Sequence, residues 1–219
     1  MSFEDFSVQQ DKQWSSRYQS VGEEYLFGTE PNRFLASQVG LFRVGETVLS
    51  VADGEGRNSV WLASQGCRVS ALELSEVAVT KARRLAQRQK VEVDFCIGDM
   101  GSAADCWRNP NTPRQFDWVV GIFIQFAPPE LRRHQFAQIR SLVKPGGRVL
   151  LQGYTPKQLE YRTGGPAALE NLYTASLLRE AWQGWSIEYL EEYEDNLTEG
   201  TGHHGRSALI GMIARCPEA

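Results

Sequence analysis

The residues with the most chemistry to offer lie in the run Ala52-Asp53-Gly54-Glu55-Gly56-Arg57-Asn58, between a strand-like segment and a helix-like one. Gly54 and Gly56 let the backbone approach a ligand closely. The start of the following helix offers unpaired N–H groups and the positive end of a dipole. About twenty residues on, Glu73 closes a second strand-like segment, where a carboxylate can accept both hydrogens of a ribose diol. Asp99, in Ile97-Gly98-Asp99-Met100 after a third such segment, can accept from an adenine amino group while the Met100 backbone donates to the ring. Taken singly, a glycine pair is an ordinary βα turn and a strand-end acid is ordinarily solvated. Three such positions in series, at the carboxyl ends of successive strands, make a nucleoside-binding pattern.

The same residues exclude two commoner nucleotide sites. A dinucleotide fingerprint needs Gly-x-Gly-x-x-Gly, with its last glycine allowing close helix–strand packing, and here the run is Ala52-x-Gly54-x-x-Arg57. No Gly-Lys-Ser/Thr follows, so a P-loop is excluded as well. What remains is a ligand with an adenosine and without a pyrophosphate. The adjacent His203 and His204 of GTGHHG cannot both face one site from a regular strand, and no third ligand lies nearby, so no metal is expected. His134, beside Arg132 and Arg133, reads as a solvated helix face. Cys67, Cys96, Cys106 and Cys216 form no CxxC pair, which argues against a disulfide framework or a zinc site and fits buried thiols in a reducing cytoplasm.

The elements that must position these groups alternate. Residues 6–20 read as a polar helix tipped with Phe6, Trp14 and Tyr18. Thr29-Glu30-Pro31 suits the start of a helix over 32–38. Strands follow at 47–52, 67–72, 91–97, 116–124 and 148–153, with helices at 58–65, 76–89 (capped by Ser75) and 130–143 between them. Lys144-Pro145-Gly146-Gly147 ends the last of these helices. A helix over 169–182 then precedes two strands, 185–193 and 207–214, close enough in sequence to form an antiparallel hairpin. The pattern predicts an α/β fold, a doubly wound Rossmann-like seven-stranded sheet, mostly parallel with an antiparallel C-terminal edge hairpin. Ligands of such sheets lie outside the carboxyl ends of the strands.

Composition agrees. Of 219 residues, 42% are hydrophobic and 23% charged, which is ordinary globular usage and excludes disordered and fibrous classes. Lys plus Arg number 23 and Asp plus Glu 27, a net charge of −4 that lacks the basic footprint expected for nucleic-acid or anionic-membrane partners. The longest apolar run, Trp118 to Ile124, is far shorter than the ~20 residues a membrane-spanning helix needs. The N-terminus has no basic region followed by an apolar one, so no signal peptide is expected. A single domain over 1–219 is the simplest parse: N-terminal helices or a lid in 1–45, a ligand-binding core in 46–153, and a substrate side with the hairpin in 154–219.

Residues 47–153 resemble the class I S-adenosylmethionine-dependent methyltransferase core. The whole chain is similar to a branch related to the tellurite-resistance and thiopurine methyltransferases. The segments that carry the resemblance are VLSVADGEGRNSVWLA, VSALELS, CIGDM, FDWVVGIFIQFAPPELRRH and LVKPGGRVLLQGYTPKQLEYRTGGP, with WSSRY…EYLFGTEPNRFL and EGTGHHGRSALIGMI outside the core. It implies S-adenosylmethionine as cofactor, with Ala52, Asp53, Gly54, Gly56 and Asn58 around its methionine part. Glu73 would take the ribose, Leu74 would line the adenine, and Asp99 with Met100 would read the adenine edge. Ile122, Phe123 and Gln125 would stand beside the sulfonium. Two turn positions depart from the family: Ala52 stands at its first glycine and Ser50 at the acid two residues earlier. Gln125 stands where members often carry His.

The resemblance further implies methyl transfer by in-line displacement to a small-molecule acceptor, whether a metalloid oxyanion, a thiol or another nucleophile. The alternatives are a non-catalytic module that binds the cofactor, or a nucleic-acid methyltransferase, for which Gln-Phe-Ala-Pro-Pro after strand four gives no support. Trp14, Arg17, Tyr18 and Tyr25 could cover the cofactor as an aromatic lid or simply pack as a helix. Tyr154, Tyr161, Arg162 and His203 fall where acceptors approach in this fold.

Overall fold

β-branched runs of five or six residues, separated by helix-length stretches with one apolar stripe, favour parallel strands joined by crossover helices. The computed structural model builds them, and it describes residues 3–100, 106 and 114–218. The chain divides into two compact units, Met1–Arg114 and Gln115–Ala219.

The first unit contains α1 (Phe3–Ser20), α2 (Arg33–Ser37), β1 (Thr47–Val51), α3 (Arg57–Ser64), β2 (Arg68–Glu73), α4 (Glu76–Gln89) and β3 (Val93–Ile97). Its strands are parallel in the order β3-β2-β1. Val51 lies opposite Leu72, and Glu73 opposite Ile97, so the loops after all three strands leave from one edge. Helix α4 has the bounds read from the sequence, with the Ser75 hydroxyl accepting from Ala78 N at 3.3 Å. Helix α2 starts later than expected. Asn32 caps it by accepting from Leu35 N at 3.1 Å, so Pro31 precedes the cap instead of lying in the first turn.

The cysteine reading needs correction. Cys96 on β3 and Cys106 are disulfide-bonded, with their Cα atoms 5.7 Å apart. Cys67 and Cys216 are free, and Cys67 is buried as expected. A spacing of ten residues matches no metal or redox motif, so the pair is recognisable only once β3 and the segment beyond it are placed. The argument for a reducing compartment from cysteine usage falls with it.

The second unit contains β4 (Phe116–Ile122), α5 (Pro129–Leu142), β5 (Val143–Tyr154), α6 (Gln158–Tyr161), α7 (Ala175–Ala181), β6 (Ser186–Glu199) and β7 (His203–Arg215). The order is β4-β5-β7-β6, with β4 parallel to β5 and β7 antiparallel to both of its neighbours. Three expectations change. Lys144–Gly147 belongs to β5 as an irregularity: the pairing jumps from Phe116–Val143 to Trp118–Arg148. Gly146 N donates to Pro217 O at 3.1 Å, and Cys216 N to Gly147 O at 2.8 Å. The helix expected over 169–182 is interrupted, because Leu172 and Tyr173 are drawn into the core and Tyr173 N donates to Tyr154 O at 2.9 Å. Thr174 then caps a shorter α7. The hairpin strands are longer than expected, since the polar outer face of β6 hides its strand character. On α5, Arg132 is buried and donates to Glu170 O, whereas the neighbouring Arg133 and His134 are exposed.

Seven strands, mostly parallel with an antiparallel C-terminal hairpin, give the Rossmann-like α/β class read from the sequence. No described helix is long and apolar enough to cross a membrane. The Cys96–Cys106 bridge closes a loop of about ten residues and so contributes about 2–3 kcal/mol by restricting the unfolded chain. Thermal unfolding with and without reductant checks this. Reduction is expected to lower Tm by roughly 5–10 °C, at 2–4 °C per kcal/mol for a chain of this size, and Cys96→Ser to reproduce the reduced value.

Candidate functional site

The turn after β1 is held by a buried acid. Asp53 accepts from the hydroxyls of Ser50 (2.7 Å) and Ser59 (2.5 Å), while its N–H donates to Leu72 O at 3.1 Å. The carboxylate that Ser50 lacks is thus supplied three residues later, with Ser50 as one of its donors. Burial pushes Asp53 up to about 6, against the two serine hydrogen bonds. Ala52, in the family's glycine position, adopts φ +48°, a left-handed conformation that costs a residue with a side chain about 1 kcal/mol or more. Gly56 (φ +88°) is required for packing, because a Cβ there would lie 2.7 Å from Ala82 Cβ. Asn58, expected at the ligand, accepts through its Oδ1 from Asn32 N at 2.9 Å.

Glu73 ends β2 almost fully buried. Its Oε2 accepts from Gly54 N at 2.8 Å and its Oε1 from Ser75 N at 2.9 Å, which ties the first two strand-end loops together. Burial is the largest cause of a Glu73 pKa pushed up to about 7, with Asp53 adding to it and the backbone N–H groups opposing it. Leu74, Asp99 and Met100 are all half-buried at the same edge.

Helix α1 runs along that edge and touches each loop in turn. The Ser7 hydroxyl donates to Asp99, Ser15 Oγ lies 2.7 Å from Ser75 Oγ, and the Tyr18 hydroxyl is 3.0 Å from where a Cβ on Gly54 (φ +62°) would be. Tyr18 is buried, and its phenol is pushed well up by that burial and by Glu73 and Glu55. Trp14 stacks on Tyr18 with ring centroids 6.0 Å apart, and Arg17 lies 4.5 Å above the Trp14 ring. Tyr25 donates to Lys81 O at 3.0 Å. The aromatic N-terminal residues therefore pack against α4 and also lie along the strand ends.

In the second unit Phe123 follows β4 with φ +56°, its N–H donating to Gln152 O at 2.8 Å. Its ring stacks on Tyr154 at 4.7 Å and meets the edge of His203 at 4.3 Å. Ile122 is half-buried beside it. The Gln125 amide is fully engaged with backbone: Nε2 donates to Tyr154 O (2.8 Å) and Asn171 O (3.2 Å), and Oε1 accepts from Tyr154 N. Gly153 is bare because a Cβ would lie 2.6 Å from the Gln125 amide carbon. Tyr161 is contacted by Arg206 at 4.9 Å, and Arg162 is exposed in a left-handed conformation. Glu199, which the sequence reading missed, is buried with its Oε2 3.5 Å from His203 Nδ1.

Residues 48–147 match the family described as "Methyltransferase domain". The thiopurine S-methyltransferase of Vibrio cholerae is 29% identical over 163 residues, 65% of this chain and 71% of that protein. Among solved structures, TehB of Haemophilus influenzae is similar with a TM-score of 0.65 at 16% identity, covering 84% of this chain and 62% of that one. Magnesium protoporphyrin IX methyltransferase from Synechocystis PCC 6803, solved with bound S-adenosylhomocysteine, gives 0.62 at 19% identity over 99% and 88% of the two chains.

The raised carboxylate predicts a pH dependence. Glu73 binds its proton more tightly in the folded chain (about 7) than at its ordinary 4.5, so its stabilising share is complete below about pH 4 and is lost as pH rises through 7. Urea unfolding of the ligand-free protein is expected to show Glu73→Gln gaining on wild type by about 3 kcal/mol between pH 4 and pH 8. A constant difference across that range would mean that Glu73 is not destabilised by burial.

Proposed function

We propose that this chain, a class I S-adenosylmethionine-dependent methyltransferase, delivers its methyl group to a small, uncharged sulfur nucleophile carried on an aromatic or heteroaromatic ring. The cofactor, when bound, supplies an electrophilic methyl group on a sulfonium, and the protein supplies binding and orientation. The first unit fits such a group. Two carboxylates, Glu73 and Asp99, stand at the ends of adjacent strands, and the turn between β1 and α3 is bare at Gly54. Glu73 would hold the ribose diol, Asp99 and the Met100 backbone the adenine edge, and the Gly54–Gly56 turn the amino-acid end. In the ligand-free chain the Ser7 hydroxyl of α1 donates to Asp99, and the Tyr18 hydroxyl lies against the bare Gly54 turn.

One observation in the second unit carries the choice of acceptor: the aromatic faces of Phe123, Tyr154 and His203 gather beside a buried carboxylate, Glu199. Flat aromatic walls favour a planar acceptor, and Glu199 repels an oxyanion. The buried cation among the described residues of this unit, Arg132, is engaged with Glu170 O, and the exposed Lys157 and Arg206 both pair with Glu194. The resemblance to a thiopurine S-methyltransferase supports the same chemistry. Excluding water at such a site strengthens the fixed dipoles that orient the two reactants for displacement.

The test is methyl transfer from S-adenosylmethionine to thiophenol, to 2-mercaptopyridine and to tellurite or selenite, read by mass spectrometry. S-methylated thiols without methylated oxyanions are expected, and the reverse pattern would overturn the acceptor assignment. A second expectation concerns α1. Ser7→Ala removes one donor to Asp99, and one hydrogen bond's worth of competition is about 0.5–1.5 kcal/mol. Calorimetry should therefore show S-adenosylhomocysteine binding several-fold more tightly to Ser7→Ala than to wild type.

A further inference from the structure

We propose that His203 takes the proton of the acceptor during transfer and that Glu199 positions it for this task; the assignment rests on the thiol reading above. The two residues end the β6–β7 hairpin, facing one another across the three-residue loop Gly200-Thr201-Gly202. Glu199 Oε2 lies 3.5 Å from His203 Nδ1, and both side chains are buried, at 6% and 11% exposed. The next residue, His204, is exposed, as strand alternation requires. The carboxylate near Nδ1 and the rings packed around the imidazole set its orientation, which leaves the second nitrogen, Nε2, as the candidate base.

The surroundings of the ring point the same way. His203 packs edge-on against Phe123 at 4.3 Å and Tyr154 at 5.9 Å. Phe123 holds a left-handed backbone conformation (φ +56°) that a bulky residue adopts only under strain, and such strain concentrates at functional sites. Gln125 carries no basic atom, and its amide is committed to the backbone of Tyr154 and Asn171. Among the described residues, the Tyr154 ring on β5 lies beside the imidazole, and Tyr193 on β6, pushed up mainly by burial, also feels the Glu199 charge. The charged Lys157, Glu194 and Arg206 satisfy one another along the exposed stretch of the hairpin.

The step balances without oxidant or reductant. The acceptor's S–H proton passes to His203 Nε2 as a new sulfur–carbon bond forms to the methyl group. The carbon–sulfur bond to the sulfonium breaks, its electron pair stays on the departing thioether, and the imidazolium later returns its proton to solvent.

Two readouts test this. In the first, the His203 ring of the ligand-free protein is titrated by NMR in wild type and in Glu199→Gln. A fall of about one pH unit in the variant is expected when the carboxylate is removed; an unchanged titration overturns the role of Glu199. In the second, methyl transfer at pH 7 is compared across thiols from pentafluorothiophenol, already ionised, to an alkanethiol, fully protonated. His203→Gln and His203→Asn should lose about 100-fold with the alkanethiol and little with pentafluorothiophenol. Equal loss across the series means that His203 is only structural and overturns the proposal. If wild type methylates no thiol at all, the acceptor reading itself fails and this assignment falls with it. The NMR arm uses the wild-type ring and stands even where a His203 variant does not fold.

Discussion

The ion pair between Lys81 on α4 and Glu55 in the turn after β1 is the contact on which the first unit depends. At 2.9 Å and almost wholly buried, it would be costly if either charge were left unsatisfied. Neither is. The three ammonium hydrogens of Lys81 go to Glu55 Oε1, Tyr18 O (2.7 Å) and Glu24 O (2.8 Å), and Glu55 Oε2 accepts from Leu26 N at 2.7 Å. One cluster therefore fixes the end of α1, the segment after it and the glycine turn on the same helix. Breaking such a pair typically costs about 3–5 kcal/mol, because the surviving charge stays buried. It is also what allows the hydroxyls of α1 to reach Asp99, Ser75 and the Gly54 turn with so little freedom.

The second unit is organised by a neutral counterpart. Gln125 joins β5 to the Asn171 backbone through three hydrogen bonds, and only a bare Gly153 lets the amide come so close. That cross-link positions Tyr154, on whose face Phe123 stacks and against whose edge His203 packs. The two units thus use different physics: the first is organised by buried charge and carboxylates, the second by stacked aromatic rings beside a buried Glu199–His203 pair.

Much of this was legible in the residues. Glu73 and Asp99 fall at strand ends because β-branched runs of fixed length precede them, and Ser75 announces α4 through its capping position. Other features depended on tertiary placement. Ser50 looked like the loss of an ordering carboxylate, but a hydroxyl can serve a shifted acid, and Asp53 is that acid. Asn58 was read as a ligand group from its place in the turn after β1, and its hold on the backbone of Asn32 could not be read from that position. Glu199 was hidden in the acid-rich run EEYEDNLTE, where burial and exposure alternate along one strand. The signal that could have found it is the pair of glycines in Glu199-Gly200-Thr201-Gly202-His203, a tight hairpin loop that sets acid and imidazole side by side. Cys96 and Cys106 gave no such signal.

The central claim is that the strand ends of the first unit hold an S-adenosyl group through an ionised Glu73. Calorimetric titration of S-adenosylhomocysteine into the protein at pH 6.5, in two buffers of different ionisation enthalpy, tests it most directly. Burial pushes Glu73 up to about 7 in the ligand-free chain, so ribose binding to its ionised form is expected to release protons. The account predicts saturable binding with net proton release to the buffer, tighter as pH rises toward 8, and loss of that release in Glu73→Gln. Binding with no proton release, or unchanged binding in Glu73→Gln, would contradict it.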